Sequence, residues 1–123
     1  MLFDTSAWIE LFNKTNNYAR VKQCLQTKQC YTSIVSIAEI SQWARRQNID
    51  GQFLAQKITE HSKIIDLNNK IAFFAGELNH NRKKAGIKWG MMDSLIVATA
   101  HFYGLPVLTK DIAFRNISDT ELL

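Results

Sequence analysis

The stretch Gly90-Met91-Met92-Asp93-Ser94-Leu95-Ile96-Val97-Ala98-Thr99-Ala100 constrains this chain more than any other. Wound as a helix it is apolar on nearly every face, and a helix of that kind is buried. Ala98 and Ala100 are small enough for other elements to pack close. The remaining residues are therefore expected to be organised around it. Its one acid, Asp93, falls in the expected first turn, where unpaired N–H groups and the positive end of the helix dipole favour a carboxylate. Taken alone, Asp93 reads as a helix-start acid.

Around this helix, short strands alternate with helices. Residues 1–4 read as a very short strand. Thr5 or Ser6 then caps a helix to about Asn13, with Trp8, Ile9, Leu11 and Phe12 supplying apolar surface. Thr15-Asn16-Asn17 breaks that pattern, and Tyr18, Val21, Cys24 and Leu25 recur at helical spacing after it. Residues 30–35, β-branched and aromatic, read as a strand. Ser36-x-x-Glu39 fits a capping box, from which Ile37, Ile40, Trp43 and Ala44 continue a helical face to about Gln47. A turn at 48–51, a helix at 52–61 and a strand at 63–67 follow. Asn68 caps a longer helix with Ile71, Phe74, Ala75 and Leu78 facing inward, ending in basic residues and then Gly86. The central helix closes at Tyr103-Gly104. Residues 105–109 form a strand with Pro106 at its tolerated beginning, Asp111 starts a short helical turn, and residues 116–123 add a weak edge strand. This alternation predicts an α/β fold. One domain over residues 1–123 forms an α/β/α sandwich, with a mainly parallel sheet of about four or five strands flanked by helices.

Composition excludes several classes. The chain has 123 residues, 46% hydrophobic and 21% charged, with one Pro, which suits a globular domain with its own core and leaves little room for disorder. No basic segment precedes an apolar run at the start. The longest greasy region, 95–108, is interrupted by His101, Gly104 and Pro106 and is too short to span a bilayer. A cytoplasmic protein is the expectation. Cys24 and Cys30 match no usual zinc or redox spacing and are expected to be free thiols.

The acids carry the chemistry. Asp4 ends the first strand, Glu39 lies early in the helix after the second, Asp93 opens the central helix, and Asp111 follows the strand at 105–109. Acids at the carboxyl edge of a parallel sheet sit where open α/β sheets bind ligands. Each has a plainer role as a helix cap, but four caps leave the shared strand-edge placement unexplained. The net charge is +4, from 15 Lys and Arg against 11 Asp and Glu. With those four acids set aside as one site, the remaining surface is more basic still, a setting that suits a polyanionic substrate.

Asp4-Thr5-Ser6-Ala7-Trp8, Ser36-Ile37-Ala38-Glu39-Ile40, Asp93-Ser94-Leu95-Ile96-Val97-Ala98-Thr99-Ala100, and Leu105-Pro106-Val107-Leu108-Thr109-Lys110-Asp111 with Phe114, in that order, resemble the PIN-domain nucleases. In length and lack of an added domain the chain is most similar to VapC-type toxins of toxin–antitoxin pairs. One departure is Ala113, where the family often carries a second acid two residues after the last one. The resemblance implies an endoribonuclease hydrolysing RNA phosphodiesters with Mg²⁺ or Mn²⁺. It implies Asp4, Asp93 and Asp111 as direct or water-bridged metal ligands, and Glu39 holding a metal-bound or attacking water. Carboxylate oxygens suit Mg²⁺, and no His or Cys neighbours these acids in sequence, so zinc fits poorly.

Ser6 and Thr109 are candidates to orient a carboxylate or contact phosphate, with local capping as the equal alternative. Arg45, Arg46, Arg82, Lys83, Lys84, Lys88, Lys110 and Arg115 are candidates for RNA-backbone contact; Lys110 and Arg115, which flank Asp111, lead them. His61, His80 and His101 lack partner spacing. The toxin resemblance also implies a homodimer and an antitoxin partner, with Trp8, Phe12 and Trp43 able to line its groove or to be ordinary core. The alternative is a catalytically silent PIN-like module that binds RNA or protein. A haloacid-dehalogenase-type phosphotransferase would want an Asp where Ser6 stands. A receiver domain needs a central strand-end Asp and a late Lys that this chain does not convincingly offer.

Overall fold

Five short strands form one sheet in the order β3-β2-β1-β4-β5, every neighbouring pair parallel. A computed structural model describes all of residues 1–123. The elements run β1 (Leu2–Phe3), α1 (Thr5–Phe12), α2 (Tyr18–Thr27), β2 (Tyr31–Ser33), α3 (Ile34–Arg46), α4 (Gly51–His61), β3 (Lys63–Ile65), α5 (Asn69–Lys84), α6 (Met91–Phe102), β4 (Val107–Thr109), a 3₁₀ turn (Ile112–Phe114) and β5 (Thr120–Leu122). The chain works outward from β1 to β3, then crosses back to lay β4 on the other flank of β1. The strand order therefore reverses between β1 and β4, and that point opens a crevice at their carboxyl ends. Leu2 and Phe3 are wholly buried, as a central strand covered on both faces requires.

Two apolar layers sandwich the sheet. One gathers Phe3, Trp8, Val21, Ile40, Trp43, Leu54 and Ile58 beneath α1–α4. The other gathers Leu2, Trp89, Ile96, Val97, Val107 and Phe114 beneath α6 and the 3₁₀ turn. As expected, α6 is buried along most of its length, from Ser94 to Ala100, while Met91, Met92 and Phe102 at its ends are exposed. Ala98 meets Ile71 and Ala75 of α5, where only a small side chain permits the close approach. Gly86 has φ +78°, a left-handed turn that stops the chain after α5. Cys24 and Cys30 are buried and unpaired. No helix is long and apolar enough to cross a membrane.

Several local expectations are corrected. α1 is capped by Asp4, whose side chain accepts from Ser6 N, and not by Thr5 or Ser6. The Ser36–Glu39 capping box does not form. The strand ends at Ser33, and its hydroxyl takes the exposed N–H of Val35, so α3 starts three residues early. Glu39 thereby lies in the second turn. Of the two readings of Trp8 and Trp43, core holds: Trp8 is wholly buried and donates from Nε1 to Thr32 Oγ1 at 3.1 Å, and Trp43 is buried as well. Phe12 is half-buried and stacks on Trp8.

The layered core makes a plain forecast. Ile96→Ala should lower unfolding free energy by about 2–5 kcal/mol, because the wholly buried site cannot refill the cavity. Phe73→Ala, at a residue 71% exposed, should change it by less than about 0.5 kcal/mol. Chemical denaturation of both variants measures the contrast.

Candidate active site

Asp4 leaves the end of β1 at the point where strand order reverses, and is only 4% exposed. A carboxylate so buried must be hydrogen-bonded. Its Oδ2 accepts from Ser6 Oγ at 2.6 Å and from Thr109 Oγ1 at 2.8 Å. Those hydroxyls are themselves set by backbone: Lys110 N donates to Ser6 Oγ at 2.9 Å, and Asp111 N donates to Thr109 Oγ1 at 3.0 Å. A short network thus ties the ends of β1 and β4 together, with every hydroxyl on Oδ2 and none on Oδ1. Burial raises the Asp4 carboxyl above its ordinary range, and the Ser6 and Thr109 bonds partly oppose that.

Glu39 reaches toward the same place from α3. Thr5 Oγ1 donates to its Oε1 at 2.6 Å and lies 2.9 Å from Ser36 Oγ. Half-burial raises its carboxyl, and the charge of Asp4 adds to the rise. Asp93 sits in the first turn of α6 and accepts from Gly90 N at 3.4 Å. Its carboxyl is pushed up to about 6, first by burial, then by Asp4, with Glu39 and Asp111 adding to the shift. Asp111 caps the 3₁₀ turn, its Oδ1 accepting from Ala113 N at 2.9 Å.

The four acids therefore share one electrostatic site at the carboxyl edge. An open cleft of about 740 Å³ runs between Asp93 and Asp111, walled by Lys88, Trp89, Gly90 and Ile112. As the side chains stand, no three His, Cys, Asp or Glu anywhere in the chain converge into a ready ligand set. The donor chemistry still suits a hard divalent cation. Only carboxylates perturb Asp93 through charge, and no His or Cys does. A cation relieves mutual repulsion of this kind.

The remaining candidates divide. Ser6 and Thr109 orient Asp4, as described. Lys110 donates to Glu10 Oε1 at 2.8 Å while its side chain stays 56% exposed; Arg115 and Lys88 are exposed. Arg82 turns inward and donates to the Ala113 carbonyl at 2.6 Å. Arg45 and Arg46 lie at the far end of α3, beside the α3–α4 turn. Glu10 was missed at the level of sequence, although an acid between Ile9 and Leu11 on a largely buried helix is a signal. It is buried, and accepts from Thr15 Oγ1 and, at 2.8 Å, Asn17 Nδ2 as well as from Lys110. Burial alone would raise its carboxyl, but the bonds from Lys110, Thr15 and Asn17 outweigh that and hold it low.

Known proteins share this architecture. The Rickettsia felis VapBC2 complex, solved bound to a DNA fragment from its promoter, matches with TM-score 0.77 at 21% identity, covering 99% of this chain and 96% of that one. VapC20 of Mycobacterium tuberculosis, a Sarcin-Ricin loop cleaving toxin, matches with TM-score 0.80 at 16% identity, covering 95% and 94%. A toxin–antitoxin complex from Klebsiella pneumoniae matches with TM-score 0.75 at 24% identity, covering 98% and 94%. No curated protein sequence matches the chain significantly. The PIN domain family model matches residues 1–119. With the reversal point, the strand-end acids and that match in agreement, the chain belongs to the PIN domain family.

Proposed function

We propose that this chain is a Mg²⁺- or Mn²⁺-dependent endoribonuclease and the toxin of a toxin–antitoxin pair. The observation that carries the reading is geometric: Ser6 and Thr109 hold Asp4 between the ends of β1 and β4, Asp93 and Asp111 line one cleft, and the charges of Asp4, Glu39 and Asp111 all act on Asp93. Acids that serve only as caps have no reason to crowd one another. Asp4, Asp93 and Asp111 would hold the cation, each having one oxygen outside the hydrogen bonds described above. A cation bound there supplies charge to the phosphoryl oxygen and lowers the pKa of a water. Ser6 and Thr109 keep Asp4 oriented. Glu39, half-buried and raised, is suited to accept a proton from the attacking water while Thr5 holds its other oxygen. Lys88 on the cleft wall and Arg115 beyond Asp111 are free to meet backbone phosphates.

The names of the structural neighbours support the biological half of the reading: they include a toxin–antitoxin complex, a VapBC complex and a Sarcin-Ricin loop cleaving toxin. An RNA substrate, a cognate antitoxin, a homodimer and a cytoplasmic site of action belong to the same proposal. A silent binding module is the second reading, favoured by the absence of a ready ligand set and by Ala113.

Two experiments decide. Purified protein should cut RNA with Mg²⁺ or Mn²⁺ and stop in chelator, and Asp93→Asn should lower cleavage by roughly a hundredfold or more with its circular dichroism unchanged. Undiminished cutting in chelator, or in the variant, rejects the mechanism.

The second experiment reads stability without metal. The Asp93 carboxyl rises from 3.8 to about 6 on folding, so between those values the native state binds more protons than the unfolded one. Stability then falls as pH rises through that window. In chelator, Asp93→Asn should be more stable than wild type near about pH 7, by roughly 1 kcal/mol after allowance for solvent screening, and the gap should close toward about pH 4. Mg²⁺ should stabilise wild type and leave the variant largely unmoved. A variant that melts lower than wild type near neutral pH would make Asp93 a structural cap.

A further inference from the structure

The reaction as assigned leaves Arg82 without a part, although it is a cation turned inward beside an acid cleft. It leaves the last turn of α5 and is half-buried. Nη2 donates to the Ala113 carbonyl at 2.6 Å, and the guanidinium carbon lies 4.1 Å from the centre of the Trp89 ring. Its Nε is buried with no partner. A buried donor left unpaired costs stability, and an apolar side chain of similar length would cover Trp89 without that cost. Packing alone does not account for an arginine here.

What Arg82 touches does account for it. The carbonyl it grips belongs to Ala113, whose own N–H donates to Asp111 Oδ1. The ring it covers packs on Phe114, with centroids 4.8 Å apart, and donates from Nε1 to Ser94 Oγ at 2.6 Å. Ser94 follows Asp93 directly, and its hydroxyl lies 3.3 Å from Asn79 Oδ1, one turn before Arg82 on α5. Asp93 and Asp111 are therefore carried by separate elements, the start of α6 and the cap of a 3₁₀ turn. Their mounts meet at Trp89 and Arg82. The guanidinium bonds one mount through Nη2 while lying over the Trp89 ring of the other, and its broad planar fork reaches both where a compact ammonium would not.

We propose that Arg82 is a positioning residue for the phosphodiester chemistry, clamping the Ala113 peptide against Trp89 and so fixing the separation of Asp93 and Asp111. The inference rests on the nuclease reading, but part of its test does not need cleavage.

Arg82→Met keeps an apolar stem over Trp89 and removes the bond to Ala113. Arg82→Lys keeps the charge and loses the stack. Mn²⁺ binding to each full-length protein, followed by the paramagnetic resonance of free Mn²⁺, should weaken roughly tenfold in both. RNA turnover should fall by a similar factor, with KM within about twofold of wild type, because the clamp sets geometry and touches no RNA. Mn²⁺ affinity within about twofold of wild type in a folded Arg82→Met overturns the proposal. So does full recovery in Arg82→Lys, which would make charge the whole effect. If Arg82→Met does not fold, Arg82→Lys decides alone on the same criterion. If wild type binds Mn²⁺ and cuts no RNA, the nuclease reading falls, and the comparison of Mn²⁺ affinities still decides whether Arg82 sets the two acids.

Discussion

Like charges crowded into a partly desolvated crevice repel one another, and the crevice beside Asp93 is built to hold them there. Each acid is tethered through one oxygen by a donor from its own neighbourhood: Ser6 and Thr109 on Asp4, Thr5 on Glu39, the Gly90 N–H on Asp93, the Ala113 N–H on Asp111. On Asp4, Glu39 and Asp93 these bonds favour the charged form and oppose the rise that burial imposes. They also leave each carboxylate a second oxygen. The acids thus repel one another while hydrogen bonds hold them in place.

That arrangement depends on the sheet. Parallel strands all point their carboxyl ends the same way, and reversal between β1 and β4 leaves a gap there. Asp4 and Asp111 stand on the two sides of the gap because Asp4 directly follows β1 and Asp111 comes two residues after the end of β4. Glu39 and Asp93 arrive on helices, and burial of the middle of α6 holds Asp93, in its first turn, at the edge. The same helix that anchors the second apolar layer therefore aims one of the acids. Core and site are not separable in this chain.

How much of this was legible follows from the range of each interaction. The helix at Asp93, the Asn68 cap, the strand after Pro106 and the turn at Asp111 are local, and local pattern gave them within a few residues. The start of α3 failed because two serines, Ser33 and Ser36, offered competing caps, and only the end of β2 decides between them. Trp8 and Trp43 could be surface or core by periodicity alone; the sheet beneath them settles it. The partners of Glu10 and Arg82 lay beyond such reasoning, although the apolar neighbours of Glu10 hinted that it is buried. Their partners, Lys110 and the Ala113 carbonyl, are distant in sequence, and Glu10 and Arg82 themselves look like ordinary charges on amphipathic helices.

Those two residues also change how the positive charge is to be counted. Counting Lys and Arg treats every cation as available to a polyanion. Lys110 instead gives its ammonium to Glu10, and Arg82 gives its guanidinium to Ala113 and Trp89. Both are spent next to Asp111, so the 3₁₀ turn that carries the acid is gripped from α1 on one side and from α5 on the other. These two cations therefore act first on the protein's own backbone and acids. On the proposed reading, attraction of a polyanion would fall to solvated residues such as Lys88 and Arg115, whose exposure makes their pull long-ranged at low salt and screened at high salt.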